Sequence, residues 1–246
     1  MGQKKALGVV SQRFEEIDLL RAIAIVLMII FHSVYDLKEF VGVNIDYQAP
    51  FWLILGKISA LLFIMVSGLA CGFSTSPIRR GIKVLLYGMG ITVVTFLIMK
   101  EEYVRFGILH FLGVAMILSP LLMKLSTRLL WLIAGLIAVL GFWFKTLVVS
   151  TSLFLPFGLM YAGFSTIDYY PLFPYLAVTI IGILAYRTFY AQRTIRIPQK
   201  SHIRAMERLK WHSPPWILWL SRNSLGIYLI HQPILLLFIY LLKILR

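Results

Sequence analysis

The chain has 246 residues, of which 60% are hydrophobic and only 14% charged, and it carries a formal net charge of +14. Soluble domains hold about one-quarter charged residues, so the composition excludes one and predicts an all-α polytopic membrane helix bundle, a single domain over 1–246. The basic surplus lies between apolar runs and not on a polar face interleaved with aromatics, which argues against a nucleic-acid partner. The single cysteine, Cys71, excludes an intrachain disulfide or a cysteine-built metal site.

Taken in chain order, Lys4, Lys5 and Arg13 precede the first apolar run in the manner of a signal peptide. No small-residue cleavage site follows, and the run is expected to be retained as the first span. Runs near the ~20 residues that cross hydrocarbon occur at about Ile17–Tyr35, Phe51–Gly72, Ile82–Met99, Phe106–Met123, Leu129–Val149, Tyr170–Phe189 and Ile217–Leu242, seven in all. Ser152–Phe164, broken by Pro156 and two glycines, is too short to cross and reads as interfacial or re-entrant, with an eighth span left open. Basic loops alternate with acidic ones. Arg79, Arg80, Lys83, Lys124, Arg128 and the loop after the sixth span fall on one side, and Asp36, Glu39, Asp46, Glu101, Glu102 and Asp168 on the other. The positive-inside rule then predicts a cytoplasmic amino terminus and an external carboxyl terminus in a cell-membrane, multi-pass protein. Glu207–Trp219, with three tryptophans among basic residues, is expected along the inner surface.

The first span is not an ordinary lipid-facing helix. At about 100° per residue, Asp18, Arg21, His32 and Asp36 fall within roughly 60° of one another, with Arg21 and His32 about 16 Å apart along the axis. Ionisable groups at such depth are expensive and mark function by default. His32 and Asp36, at i and i+4, have the spacing at which a carboxylate accepts from one imidazole nitrogen and leaves the other free as a base; a buried structural pair is the alternative. Asp18 and Arg21, at i and i+3, have the spacing of an interfacial pair. His110 stands alone among glycines, where a packed, satisfied histidine is the competing reading. On the last span Ser224, Tyr228 and His231 share a face and read as substrate-facing; for His231, just before Gln232-Pro233, a structural role at the backbone carbonyl freed by the proline is the alternative. No HExxH, P-loop or dinucleotide fingerprint is present, and Ser33, Ser67 and Ser224 lack a nucleophile elbow.

"EEIDLLRAIAIVLMIIFHSVYDL" resembles the opening of the heparan-alpha-glucosaminide N-acetyltransferase-like family. "LFIMVSGLACGFS", "VRFGILHFLGVAMILSPLL", "DYYPLFPYLAVTIIGIL" and "SRNSLGIYLIHQPILL" resemble later helices of that family, in the right order. Ala22 departs from the glycine that usually follows the arginine. The resemblance implies an acetyltransferase that uses acetyl-CoA as donor, without a metal, and a sugar amine or hydroxyl as acceptor at the outer face. It implies that Arg79, Arg80 and Lys83 of "IRRGIK", with Arg21, hold the acyl-CoA phosphates, and that His32 is the base, steadied by Asp36. His110, Asp168 and His231 are implied for acceptor binding or oxyanion stabilisation. Direct transfer and an acetyl-histidine route stay open, as do acyl chain length and a homo-oligomer. Partners would be the bilayer, an acyl-CoA and a carbohydrate. The rival reading is a secondary transporter or proton-coupled permease using the same stripe as a relay; a structural subunit is a third.

Overall fold

The structure, a computed structural model, describes residues 14–191 and 214–244. The basic residues Lys4, Lys5 and Arg13, and the sixth loop as far as residue 213, lie outside the described residues.

Six helices are long and apolar enough to cross a bilayer. They are α1 (Glu15–Asp36, with a widened turn continuing to Val41), α2 (Pro50–Cys71), α3 (Pro77–Met99), α5 (Thr127–Phe144), α6 (Leu172–Ala185, continuing through Tyr190) and α8 (Ser224–Ile244). Between α3 and α5 lies α4 (Ile108–Lys124), apolar but only 17 residues long, about 25 Å at the helical rise. The expected all-α bundle of about seven helices is therefore observed, with the fourth shorter than a standard span.

Local chemistry sets the boundaries. Pro50, Pro77 and Pro215 stand in the first turns of their helices, where a missing amide N–H leaves nothing unsatisfied. Ser126 caps α5, its hydroxyl accepting from the Leu129 N–H at 3.3 Å. At the other end of the α4–α5 turn, Arg187 of α6 donates to the Leu125 and Met123 carbonyls at 2.7 and 2.6 Å, supplying partners for the last carbonyls of α4.

Two elements differ from the sequence reading. The expected span Ile217–Leu242 is two helices, α7 (Pro215–Arg222) and α8, separated at Asn223, whose side chain turns back to donate to the Trp219 carbonyl at 2.9 Å. Of the stretch Glu207–Trp219, only the part within α7 is described; Trp216 and Trp219 there are both exposed. Ser152–Phe164 forms no span. It holds a short 3₁₀ turn, Ser152–Phe157, between strands β1 (Val148–Val149) and β2 (Met160–Tyr161), which pair in parallel.

The core gathers around Phe111 of α4, Ile64 of α2 and Ile180 and Ile183 of α6, all fully buried. Helices α2 and α6 meet backbone to backbone: a Cβ at Gly68 would strike the Thr179 carbonyl, and one at Gly182 the Met65 carbonyl. Such contacts tighten apolar helix packing where lipid offers no hydrophobic drive. Outward faces such as Val93, Leu97 and Ile98 of α3 are exposed as a bilayer requires. One end of the bundle collects Arg21, Arg79, Arg80, Lys83, Lys124, Arg128 and Arg222 with Glu15, Glu16 and Asp18, and the other collects Asp36, Glu39, Asp46, Glu101, Glu102 and Asp168 with Lys38, Lys100, Arg105 and Lys145.

Candidate active site

The polar stripe of α1 faces inward against α7 and α8. Asp18 is buried and accepts from the Ser221 hydroxyl of α7 at 2.5 Å. One turn on, Arg21 lines a cavity of about 350 Å³. Arg80 of α3 and Arg222 of α7 also line it, as do Ser67, Cys71 and Ser74 of α2 and its following turn. Ile108 and Leu109 of α4 and Ser224, Leu225 and Tyr228 of α8 complete its lining. Arg79 and Lys83 instead border an open groove of about 590 Å³ along the start of α3, with Thr75 and Ser76.

Behind Tyr228 stand two imidazoles. The ring of Tyr228 is 5.5 Å from that of His231, which meets His32 edge to face at 4.8 Å between centroids. The hydrogen bond expected between His32 and Asp36 is not made. His32 Nδ1 lies 2.9 Å from the Met28 carbonyl, one turn back on its own helix. A carbonyl only accepts, so Nδ1 carries the proton and Nε2 keeps its lone pair. His231 repeats the arrangement: Nδ1 is 2.6 Å from the Tyr228 carbonyl, while its Nε2 is buried without a partner. Asp36, wholly buried, instead accepts from the Gln232 side-chain amide at 2.7 Å and ties α1 to α8; its Oδ2 and the Gln232 Oε1 are unpartnered. The i−4 carbonyl wins because it is presented by the helix at no extra ordering, whereas Asp36 is drawn off by a partner on another helix.

His110 and Asp168 are bound up differently. The Gly107 N–H donates to His110 Nδ1 at 3.2 Å, so Nε2 is the protonated nitrogen and lies 3.2 Å from the Thr92 hydroxyl, which donates on to the Val104 carbonyl at 2.7 Å. Every polar atom of the ring is thus used. Asp168 accepts from the Ile108 N–H at 2.9 Å and sits at the positive end of α4. Burial pushes its carboxyl up to about 6, with the Ile108 bond pulling the other way. Nearby Tyr169 donates to the Leu155 carbonyl at 2.7 Å, and burial raises its phenol to about 12.

The structure therefore joins in one line of neighbours Arg21, Arg80, Ser224 and Tyr228 around the cavity, then His231 against Tyr228 and His32 against His231. It sets Arg79 and Lys83 on an adjoining groove, and it leaves His110 within the α3–α4 packing. Sequence reasoning missed Ser221 and Arg222, which mark the break before α8, and Gln232, the amide that claims Asp36. The signal for Gln232 was its place beside the two residues already singled out, His231 and Pro233. Among the described residues no group of three or more metal-ligating side chains occurs. No curated protein and no solved structure matches the chain. The family model for the catalytic part of heparan-alpha-glucosaminide N-acetyltransferase matches residues 13–233, from the first helix into the last and across every element of this line; the chain belongs to that family of membrane acetyltransferases.

Proposed function

We propose that the protein transfers an acetyl group from cytosolic acetyl-CoA to a sugar amine or hydroxyl at the opposite face of the membrane. The observation that carries this is an arginine-lined cavity with a tyrosine in its wall, and two imidazoles reached in turn from that tyrosine ring, each holding its Nδ1 on a backbone carbonyl. The positive-inside rule supports reading the basic end of the bundle as the cytosolic one. Donor phosphates fit Arg21, Arg80 and Arg222 in the cavity, with Arg79 and Lys83 on the groove beside it, since guanidinium groups bind phosphate oxygens in pairs. The thioester then extends along the cavity toward Tyr228 and the histidines.

His32 Nε2 is the general base. The acceptor N–H or O–H gives its proton to that nitrogen as its heteroatom bonds to the thioester carbonyl carbon. The C–S bond breaks, the thiolate takes the proton back from the imidazolium, and CoA leaves as the thiol. The Met28 carbonyl holds the productive tautomer, the role a carboxylate fills in a catalytic triad. His231 Nε2 accepts a second hydrogen bond from the acceptor and orients it. Asp36 is a positioning residue that acts through Gln232 to fix α8 against α1. Tyr228, with Ser224, lines the cavity that holds the acyl group.

The test is transfer of radiolabelled acetyl from acetyl-CoA by the purified protein. We expect His32→Ala to lose about 10³-fold in kcat while CoA still raises its melting temperature. Undiminished transfer in this variant would remove His32 from the chemistry.

A further inference from the structure

The apolar run of α2 contains one charged residue, Lys57. Gly56 beside it faces the Phe31 ring, which a Cβ there would approach to 2.9 Å, so Lys57 lies at the level of Phe31 and His32 along the bundle. It stands seven residues in from the start of α2 at Pro50, about 10 Å of helix. A lysine at such depth is expensive to maintain and calls for a partner.

The partner present is neutral. Lys57 Nζ donates to the Tyr175 hydroxyl of α6 at 2.7 Å, and no carboxylate accompanies it among the described residues. Tyr175 is buried and held by its ring neighbours Tyr170, at 4.9 Å, and Phe111, at 6.2 Å. Because its oxygen accepts from the ammonium, its own O–H is left to donate. The pair offers the remaining ammonium hydrogens and one phenol hydrogen, all donors, on a lysine that is exposed as a residue. Toward the basic end the same two helices touch through Gly68 and Gly182; here they are bridged by two full-length side chains.

We propose that Lys57 and Tyr175 form an anion-binding subsite, on the acceptor side, for a phosphate or carboxylate group attached to the molecule that receives the acetyl group. This rests on the acetyltransferase reading for the role of that molecule but not for the binding itself. The anion has two sources, an acidic sugar or the headgroup of an anionic lipid, and both present the same oxygens to the ammonium.

Binding of glucosamine 6-phosphate and of glucosamine to the full chain is measured by tryptophan fluorescence in phosphatidylcholine nanodiscs, for wild type, Lys57→Met and Lys57→Arg. We expect the phosphorylated sugar to bind wild type about tenfold more tightly than the neutral one, as one charge-assisted hydrogen bond gives. The preference should vanish in Lys57→Met and persist in Lys57→Arg. Equal binding of the two sugars by wild type, or a preference that survives Lys57→Met, overturns the subsite. Phosphatidylglycerol discs identify the source: they abolish the preference if the lipid headgroup occupies the subsite and leave it intact if the sugar does. Acetyl transfer assayed in the same discs separates the two ideas. A wild type that acetylates both sugars with no Lys57-dependent preference defeats the subsite alone. One that binds the phosphorylated sugar through Lys57 but transfers acetyl to neither defeats the acetyltransferase reading alone.

Discussion

Two parts of the bundle hold histidine and carboxylate in opposite ways. Between α3 and α4, the His110 ring has both nitrogens engaged, and the Asp168 carboxylate seals the start of α4. Between α1 and α8, His32 and His231 each spend one nitrogen on a carbonyl of their own helix and leave the other idle, beside a carboxylate oxygen that is also unmatched. An unmatched buried polar atom costs about 1–3 kcal/mol. A region that accumulates several of them is shaped for something other than stability, whereas a fully matched one is scaffold.

Substitutions that separate activity from stability sharpen this contrast. The largest effect after loss of His32 is expected for His231→Ala, about 10²-fold in kcat, at the lower end of what a positioned acid–base group contributes. Its melting temperature should fall less than that of His110→Ala, since one His231 ring nitrogen is unpartnered where both of His110 are engaged. Steady-state kinetics together with thermal unfolding reads both, and a variant that loses stability but keeps its turnover would place His231 in the scaffold. His110→Ala should behave in reverse. It orphans the Gly107 N–H and the Thr92 hydroxyl oxygen, so a destabilisation of about 1–3 kcal/mol is expected, with kcat per folded molecule unchanged. Loss of turnover without loss of stability would break the comparison.

The smallest effect concerns Asp168. Its carboxyl titrates in the folded chain near 6, above the ordinary 3.8. The folded state therefore binds a proton more tightly than the unfolded one. The stability that protonation gives is full below the ordinary value and is lost as pH rises through about 6. Asp168→Asn keeps an acceptor for the Ile108 N–H but does not titrate. Wild type should gain on it by about 1–2 kcal/mol between pH 7.5 and 5, read as the difference between the two melting curves. A difference independent of pH would show that the carboxylate is not held against its burial.

Most of the fold was legible, because hydropathy and the prolines at 50, 77 and 215 report local events. The start of α4 was placed two residues early, since its cap comes from Asp168, 60 positions away. The last span was read as continuous because Trp216, Trp219 and Leu225 keep the window apolar across Asn223. Within the site, the stripe of α1 and the face of α8 followed from helical period alone. The partner of Asp36 did not: period places His32 and Asp36 within reach of one another, and only tertiary packing brings Gln232 to the carboxylate. Lys57 escaped notice for a simpler reason. One cation does not alter the hydropathy of a 22-residue helix.

The glycine-mediated contact of α2 with α6 has a mechanical consequence. Two backbones pressed together with no side chains between them have no room to slide, since any translation drives the Met65 and Thr179 carbonyls into the opposing chain. These helices form the stator of the molecule.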